Sequence, residues 1–430
     1  MTDERRPPKL EGEAPGLVWR ARKDGWAATW QARSDLVARG YVPKSLTLWK
    51  GAEPDPIDRE HIASQCQYQQ AEMLMWARGV ELPSSAFKGT VRSLIQCYRT
   101  DQDSPYQKNR YHTRVNRDSL LRRINIKHGD ERLSDIKARI LLAWHKDWSE
   151  DGQKSATGAA VVGQLRALFS FGATLLEDSD CERLCAVMNK MRFPGTKPRK
   201  VFLSAEQAEA VCVSAREDFG WYSIALGQAF QFECTLRQKD VIGEMVPLSE
   251  PGVSAIIRDG RKWLRGIVWQ EIDEDLILRH VTSKKQKLMQ ADLKFAPLVM
   301  RELQRIAGEQ PLVVTDETTK KVTVNRHLLP AAGPVVKNEL NALPWSANEW
   351  RRKWRLVATR AGVPKNIQNM DSRSGAISEA VDAGASLDMV RHAATHSDVS
   401  QTADYDRMQA EATAKVMQLR MAKRKKPKPE

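Results

Sequence analysis

What this sequence lacks narrows it first. Six cysteines, Cys66, Cys97, Cys181, Cys185, Cys212 and Cys234, are spread over 430 residues. None forms a CxxC pair or a Cys/His set with zinc spacing, so no metal site is expected. Cys181 and Cys185 stand one helical turn apart, and the plain expectation is two small residues on a helix. Reduced, buried thiols fit a cytosolic protein. No run approaches ~18 apolar residues, so no membrane span is expected. The opening MTDERRPPKLEGEAPG has no apolar stretch, so no secretory signal is expected. No internal repeat is visible. Acidic residues are in deficit as well: 54 Asp+Glu face 68 Lys+Arg, a formal net charge of +14. That excess suits a polyanionic partner, and nucleic acid is the default.

The 41% of hydrophobic residues is too high for a disordered chain and enough for real cores. The length suggests two to four domains. Residues 1–16 are polar and Pro-rich and read as a disordered tail. LVWRAR and WAATWQAR flank Lys23-Asp24-Gly25, which reads as a hairpin, with SLTLWK (45–50) as a third strand. Arg20, Arg22 and Lys23 alternate here with tryptophans. Two readings stand: a basic sheet entering a DNA groove, or a minor sheet whose tryptophans form its own core. Residues 57–79 read as a helix leading out of this 17–85 module.

Residues 86–192 read as helical throughout. HGDERLSDI (128–136) is a turn before a helix start, with Ser134 as its N-cap. Residues 155–178 are a long apolar core helix. Between 88 and 128 ten Lys/Arg face three Asp, a local excess of 10 − 3 = 7. A solvated helix face is the ordinary reason for charge. Missing acidic counterparts instead favour phosphate contacts, so Arg92, Lys108, Arg110, Arg114, Arg117, Arg122 and Arg123 become candidate DNA-binding residues. FPGTKPRK (193–200) is an exposed linker. Ser204 to Gln207 forms a capping box that opens a new domain, 201–421. Within it, KWLRGIVWQEI, LILRHVT and KLMQADL (262–293) read as a three-stranded antiparallel sheet among helices. Residues 422–430 are a basic tail.

Breaking a phosphodiester without metal sets clear demands. Charge grows on the non-bridging oxygens, and two guanidinium groups match it. A side chain attacks phosphorus, and a proton donor meets the leaving oxygen. Such a chain shows two separated arginines, a lysine or histidine, and a late nucleophile. Here CTLRQKDVIGEMVPL (234–248) holds Arg237 and Asp240, and TSKKQKLMQADL (282–293) holds Lys284, with Lys285 and Lys287 as competitors. MDSRSGAISEAVDAGASLDMVRHAATHSDVSQTADYDR (370–407) holds Arg373, His396 and Tyr405. Arg373 to His396 spans 396 − 373 = 23 residues, and His396 to Tyr405 spans 405 − 396 = 9.

These blocks resemble the tyrosine recombinases, or phage integrases. The resemblance implies a multidomain, mainly α fold with small β-sheets: a helical core-binding domain at 86–192, an α+β catalytic domain, and a small N-terminal β-containing module that binds arm-type DNA. It implies Tyr405 as nucleophile, Arg237, Arg373 and His396 on the non-bridging oxygens, Lys284 as proton donor and Asp240 in support. No cofactor is implied. The implied partner is double-stranded DNA at attachment sites, bound by a tetramer through a Holliday junction, with accessory DNA-bending or directionality proteins. The implied location is the cytoplasm. Two positions depart from the family pattern. Met370 stands where a histidine is usual and cannot exchange a proton, leaving Asn369 or Gln368 to fill the gap by hydrogen bonding. Thr395 stands where glycine is usual. Alternatives are a catalytically weak or inactive DNA-binding relative, a chromosome-dimer-resolving recombinase, and a type IB topoisomerase.

Overall fold

The computed structural model describes residues 7–10, 12–22, 24–79, 87–195, 199 and 201–395. Lys23, His396, Tyr405 and the 422–430 tail lie outside them. The chain divides into two compact units. The first comprises 1–198 with 246–251 and 257–261, and the second comprises the remaining residues.

The first unit opens on an antiparallel sheet in the order β1 (Leu17–Arg22), β2 (Gly25–Gln31), β3 (Ser45–Gly51), with α1 (Ser34–Ala38) between β2 and β3. Gly25 has φ +137°, and a Cβ there would lie 2.1 Å from the Gly51 carbonyl oxygen, so the turn requires glycine. The 22-residue α2 (Pro56–Ala77) begins at Asp55, whose carboxylate caps the Asp58 N–H at 2.7 Å. Trp30 is fully buried with Leu36, Tyr41, Ile62, Cys66 and Met73, and Trp19 and Trp49 pack against them. Trp30 is the tryptophan in the core of this sheet, Trp19, Trp26 and Trp49 are half-buried, and Arg20, Arg22 and Lys50 are exposed. Leu10 and Ala14 pack on the same core, and Gln67 donates to the Glu13 carbonyl at 3.1 Å.

Five helices follow: α3 (Val91–Thr100), α4 (Tyr111–His128), α5 (Ala138–Trp148), α6 (Ser155–Leu175) and α7 (Ser179–Lys190). They enclose Leu94, Tyr98, Ile124, Leu165, Phe169 and Leu184. Ser134 caps no helix. It sits inside a 3₁₀ turn, Leu133–Asp135, and α5 starts three residues later. By length and composition alone α6 is apolar enough to cross a membrane, as the core helix of a folded domain can be. Here Val161, Leu165, Leu168, Phe169 and Phe171 of α6 are buried in the protein core.

The second unit contains α8 (Ala205–Glu217), α9 (Tyr222–Glu233), α10 (Gln238–Ile242), α11 (Pro297–Ala307), α12 (Ala347–Arg360), α13 (Asp371–Asp382) and α14 (Leu387–Ala393). Ser204 and Gln207 form the expected capping box on α8. The core gathers on α9, where Ile224, Ala225, Ala229 and Phe230 are fully buried. The β regions are β4 (Glu244–Pro247), β5 (Ile257–Arg258), β6 (Arg261–Leu264), β7 (Ile277–Val281), β8 (Leu288–Asp292), β9 (Val313–Thr315) and β10 (Val322–Val324). They pair as a three-stranded sheet in the order β4–β6–β5 and as two separate hairpins, β7–β8 and β9–β10. The single sheet expected over 262–293 is split. Arg265 takes φ +70° and Trp269–Glu271 forms a 3₁₀ turn, which ends the extended run between β6 and β7.

Candidate active site

The turn after α9 begins the site. Thr235 has φ +49°, and this left-handed kink brings Arg237 to the start of α10. Asp240 is 0% exposed, and its carboxylate satisfies two backbone groups. One oxygen accepts from the Arg237 N–H at 3.1 Å and the other from the Ser283 N–H at 2.6 Å. A buried carboxylate is retained only when matched in this way. The match joins two segments 43 residues apart. Ser283 directly precedes Lys284, so one side chain ties the arginine turn to the lysine hairpin. Lys284 and Lys285 are exposed in the turn between β7 and β8, and Lys287 is half-buried. His280 of β7, 2% exposed, donates through Nδ1 to the Glu271 carboxylate at 3.0 Å and lies 3.9 Å from Asp240.

Arg237 approaches Asp240 only at 3.8 Å through Nη1. That nitrogen is buried and has no hydrogen-bond partner among the described residues. A buried guanidinium N–H left without an acceptor is costly. It suits a site that receives an anionic oxygen.

Arg373 lies in the first turn of α13. Gly375 in the next turn lets the helix touch Leu203, since a Cβ there would lie 1.8 Å from the Leu203 carbonyl oxygen. The Arg373 guanidinium donates to the carbonyls of Thr235 and Ala394. The Thr235 hydroxyl donates to the Ala393 carbonyl at 3.0 Å. The α9 turn, the start of α13 and the end of α14 are thereby knitted together, and α14 ends just before the segment of His396. His396 and Tyr405 themselves lie outside the described residues. Among the described residues no group of three or more His, Cys, Asp or Glu could hold a metal ion.

Met370 precedes α13 and is 58% exposed. Asn369 does not fill the gap in proton transfer, because its side chain is buried and bonded to Gln231 and Trp350. Gln368 is exposed. Thr395 has φ +51°, which accounts for the preference for glycine at this position in the resembling family.

The basic candidates of the first unit divide. Arg92 forms a two-pronged pair with Asp130 at 3.0 and 2.9 Å and lies over the Tyr68 ring. Arg114 is paired with Glu250, and Arg117 donates to the Tyr98 hydroxyl. Arg122 lines a small cleft with Glu72, Arg99 and Asp118, and burial holds its pKa below the usual guanidinium value. The acids missing from 88–128 are supplied by Glu72, Asp130 and Glu250, two of them far away in sequence. Lys108 and Arg123 are exposed and Arg110 is half-buried.

No protein-family model and no curated protein matches this sequence. Solved structures do match. A lambda integrase dimer bound to a COC' core site is 14% identical, with a TM-score of 0.53 over 94% of this chain and 96% of that chain. A lambda integrase tetramer bound to a Holliday junction is 13% identical, with a TM-score of 0.53 over 92% and 96%. A Tn1549 transposon integrase fragment in complex with transposon right end DNA is 14% identical, with a TM-score of 0.50 over 77% and 99%. The chain therefore has the tyrosine-recombinase fold: multidomain and mainly α, with small sheets.

Proposed function

We propose that this chain, built on the tyrosine-recombinase fold, is a site-specific DNA recombinase, the integrase of a phage or mobile element. The Tyr405 phenolic oxygen attacks the scissile phosphorus, and the bond to the 5′ oxygen breaks. Lys284 gives its proton to that oxygen, leaving a 3′-phosphotyrosyl bond and a 5′-hydroxyl. Arg237, Arg373 and His396 hold the non-bridging oxygens. The hydroxyl of a partner strand reverses the step, so bond energy is conserved in the phosphotyrosine and no ATP is needed. Four protomers act on two DNA sites through a Holliday junction, with accessory DNA-bending or directionality proteins as further partners.

The observation that carries this reading is the Asp240 carboxylate. It holds the Arg237 turn and the residue before Lys284 on one pair of oxygens. That linkage has a purpose if both side chains meet one phosphate. Lys284, next to the anchored Ser283, is favoured over Lys285 and Lys287 on the same ground. Residues 201–421 then form the catalytic domain and 86–192 the core-binding domain. The exposed Arg20 and Arg22, with Lys23, belong to an arm-binding module within 17–85. On α4 the exposed stripe of Thr113, Asn116, Ser119 and Arg123 suits a helix lying against DNA.

One observation favours a second reading, a catalytically weak DNA-binding relative: Met370 is exposed where a proton acceptor is usual, and Asn369 is committed elsewhere. A suicide substrate built from the DNA bordering the gene separates the two. Wild-type protein is expected to leave a covalent adduct on a denaturing gel, in excess EDTA as well as without it. Tyr405→Phe is expected to bind and leave none. An undiminished adduct with Tyr405→Phe, or cleavage lost to EDTA and restored by Mg²⁺, refutes the tyrosine mechanism.

A further inference from the structure

The first turn of α13 is surrounded by polar groups buried where apolar ones would fit. Asn369 and Ser372 are 3% and 0% exposed. Their partners come in matched pairs from two other helices. Gln228 and Gln231 stand three residues apart on α9, at 0% and 1% exposure, and Trp350 and Trp354 stand four apart on α12, at 0% and 1%. These spacings place each pair on one helix face. The Trp350 indole N–H donates to Asn369 Oδ1 at 3.2 Å, and Asn369 Nδ2 donates to Gln231 Oε1 at 2.8 Å. One turn along, the Trp354 indole N–H donates to Gln228 Oε1 at 2.7 Å, and Gln228 Nε2 donates to Ser372 Oγ at 3.1 Å. Two rungs thus tie α12 and α9 to Asn369, just before α13, and to Ser372 in its first turn.

Apolar residues of the same size would fill this volume with no desolvation cost. Directional hydrogen bonds add something that apolar contact lacks: they fix the height and rotation of one helix against another. The element so fixed carries the next residue after Ser372, which is Arg373. Gln231 also lies one helical turn before Thr235, whose carbonyl accepts from the Arg373 guanidinium. One end of the ladder therefore sets the backbone of Arg373, and the other sets its acceptor.

We infer that this indole–amide ladder is a positioning device for Arg373, with Gln228, Gln231, Asn369 and Ser372 as positioning residues that never touch the phosphate. The phosphate part rests on the recombinase reading. The placement of Arg373 does not, and is testable without DNA. With ¹⁵N-arginine labelling, a guanidinium held by fixed acceptors shows slowed rotation and separate Nη signals. Ser372→Ala and Gln231→Met are expected to merge them. An Arg373 spectrum unchanged in both variants overturns the inference. If Gln231→Met fails to fold, Ser372→Ala, which removes a single oxygen, decides alone.

Cleavage supplies the second measurement. A guanidinium displaced by an ångström costs on the order of a hundredfold in rate, so the variants are expected to lose about tenfold to a hundredfold with DNA binding kept. A neutral methylphosphonate at the scissile position removes one of the charges Arg373 is there to meet. The variant-to-wild-type ratio should return toward one on that substrate. Equal losses on both substrates mean that the ladder acts on stability alone, and the inference falls. A wild type that cleaves nothing refutes the recombinase reading, while the Arg373 spectrum still decides the ladder.

Discussion

The arginines of α3 and α4 and those of the candidate active site carry the same guanidinium, held in opposite ways. Arg92, Arg99 and Arg114 meet the carboxylates of Asp130, Glu72 and Glu250. Their charge is met by protein carboxylates, and they tie α3 and α4 to α2, to the turn after α4 and to the segment after β4. Arg373 donates to two backbone carbonyl oxygens, those of Thr235 and Ala394. Arg237 stands 3.8 Å from the Asp240 carboxylate, with a buried N–H that lacks an acceptor among the described residues. The density of basic residues along a sequence therefore does not locate a phosphate; the partner of each guanidinium does.

The comparison breaks most sharply on the active-site pair. Arg237→Ala and Arg373→Ala are each expected to lower single-turnover cleavage by about 10²–10³, the usual loss for a donor to a developing oxyanion. Binding measured by gel shift should change far less. Cleavage within a few-fold of wild type in either variant would reassign that arginine.

The bracing arginines fail differently. Glu72→Gln removes one counter-charge from Arg99 and leaves burial acting on Arg122, at an expected cost of about 1–3 kcal/mol of stability, read as a lower midpoint in urea. Salt dependence sharpens the contrast. Each phosphate contact adds about one unit to the slope of log K against log salt. Lys108→Ala and Arg123→Ala should each reduce that slope, and Arg92→Ala and Arg114→Ala should leave it unchanged. A slope that falls with Arg114→Ala would return that residue to the DNA surface.

This contrast also marks what the sequence made legible. Arg373 drew attention through its spacing to His396 and Tyr405, and Arg237 through the short block CTLRQKD, both local information. The capping box at Ser204 and the Asp24-Gly25 turn were legible for the same reason. The partners of Arg92 and Arg114 were not, since only folding brings Glu250 to Arg114, 136 residues away. The break in the sheet at Arg265 and Trp269–Glu271 was hidden because a β-prone run carries no sign of one left-handed residue. Gln228, Gln231, Asn369 and Ser372 passed unnoticed because single amides and hydroxyls in apolar helices look neutral until their partners are known. One signal was available: two glutamines three apart in α9, a helix otherwise rich in buried apolar residues such as Ile224, Ala225 and Phe230.

Thr395 gives a smaller effect. A side chain in the left-handed region costs an L-residue roughly 1–2 kcal/mol, and the hydroxyl of Thr395 is buried without a partner among the described residues. Glycine removes both penalties and gives back part of the gain through the freer unfolded chain. Thr395→Gly is expected to stabilise the protein by about 1 kcal/mol, seen as a raised thermal midpoint. A lowered midpoint would mean that the threonine methyl packs well enough to outweigh its backbone strain.

The smallest effect is expected at Met370, and its size follows from where the residue sits. Tyrosine ordinarily titrates near ~10, so a site without a proton acceptor should cleave faster as pH rises. At 58% exposure, an imidazole in place of Met370 would stay near its solution pKa of ~6.5 and be largely neutral, hence able to accept a proton, at neutral pH. An exposed base is loosely held, so the gain should fall below the ~10² of a well-placed one. Met370→His is therefore expected to speed cleavage less than about tenfold at pH 7, and less still at pH 9, where tyrosine needs less help. The variant's pH profile should be the flatter of the two. Single-turnover rates across pH for both proteins decide it. A wild type that is already fast and flat, with Met370→His slower, would show that proton transfer at this site does not pass through position 370.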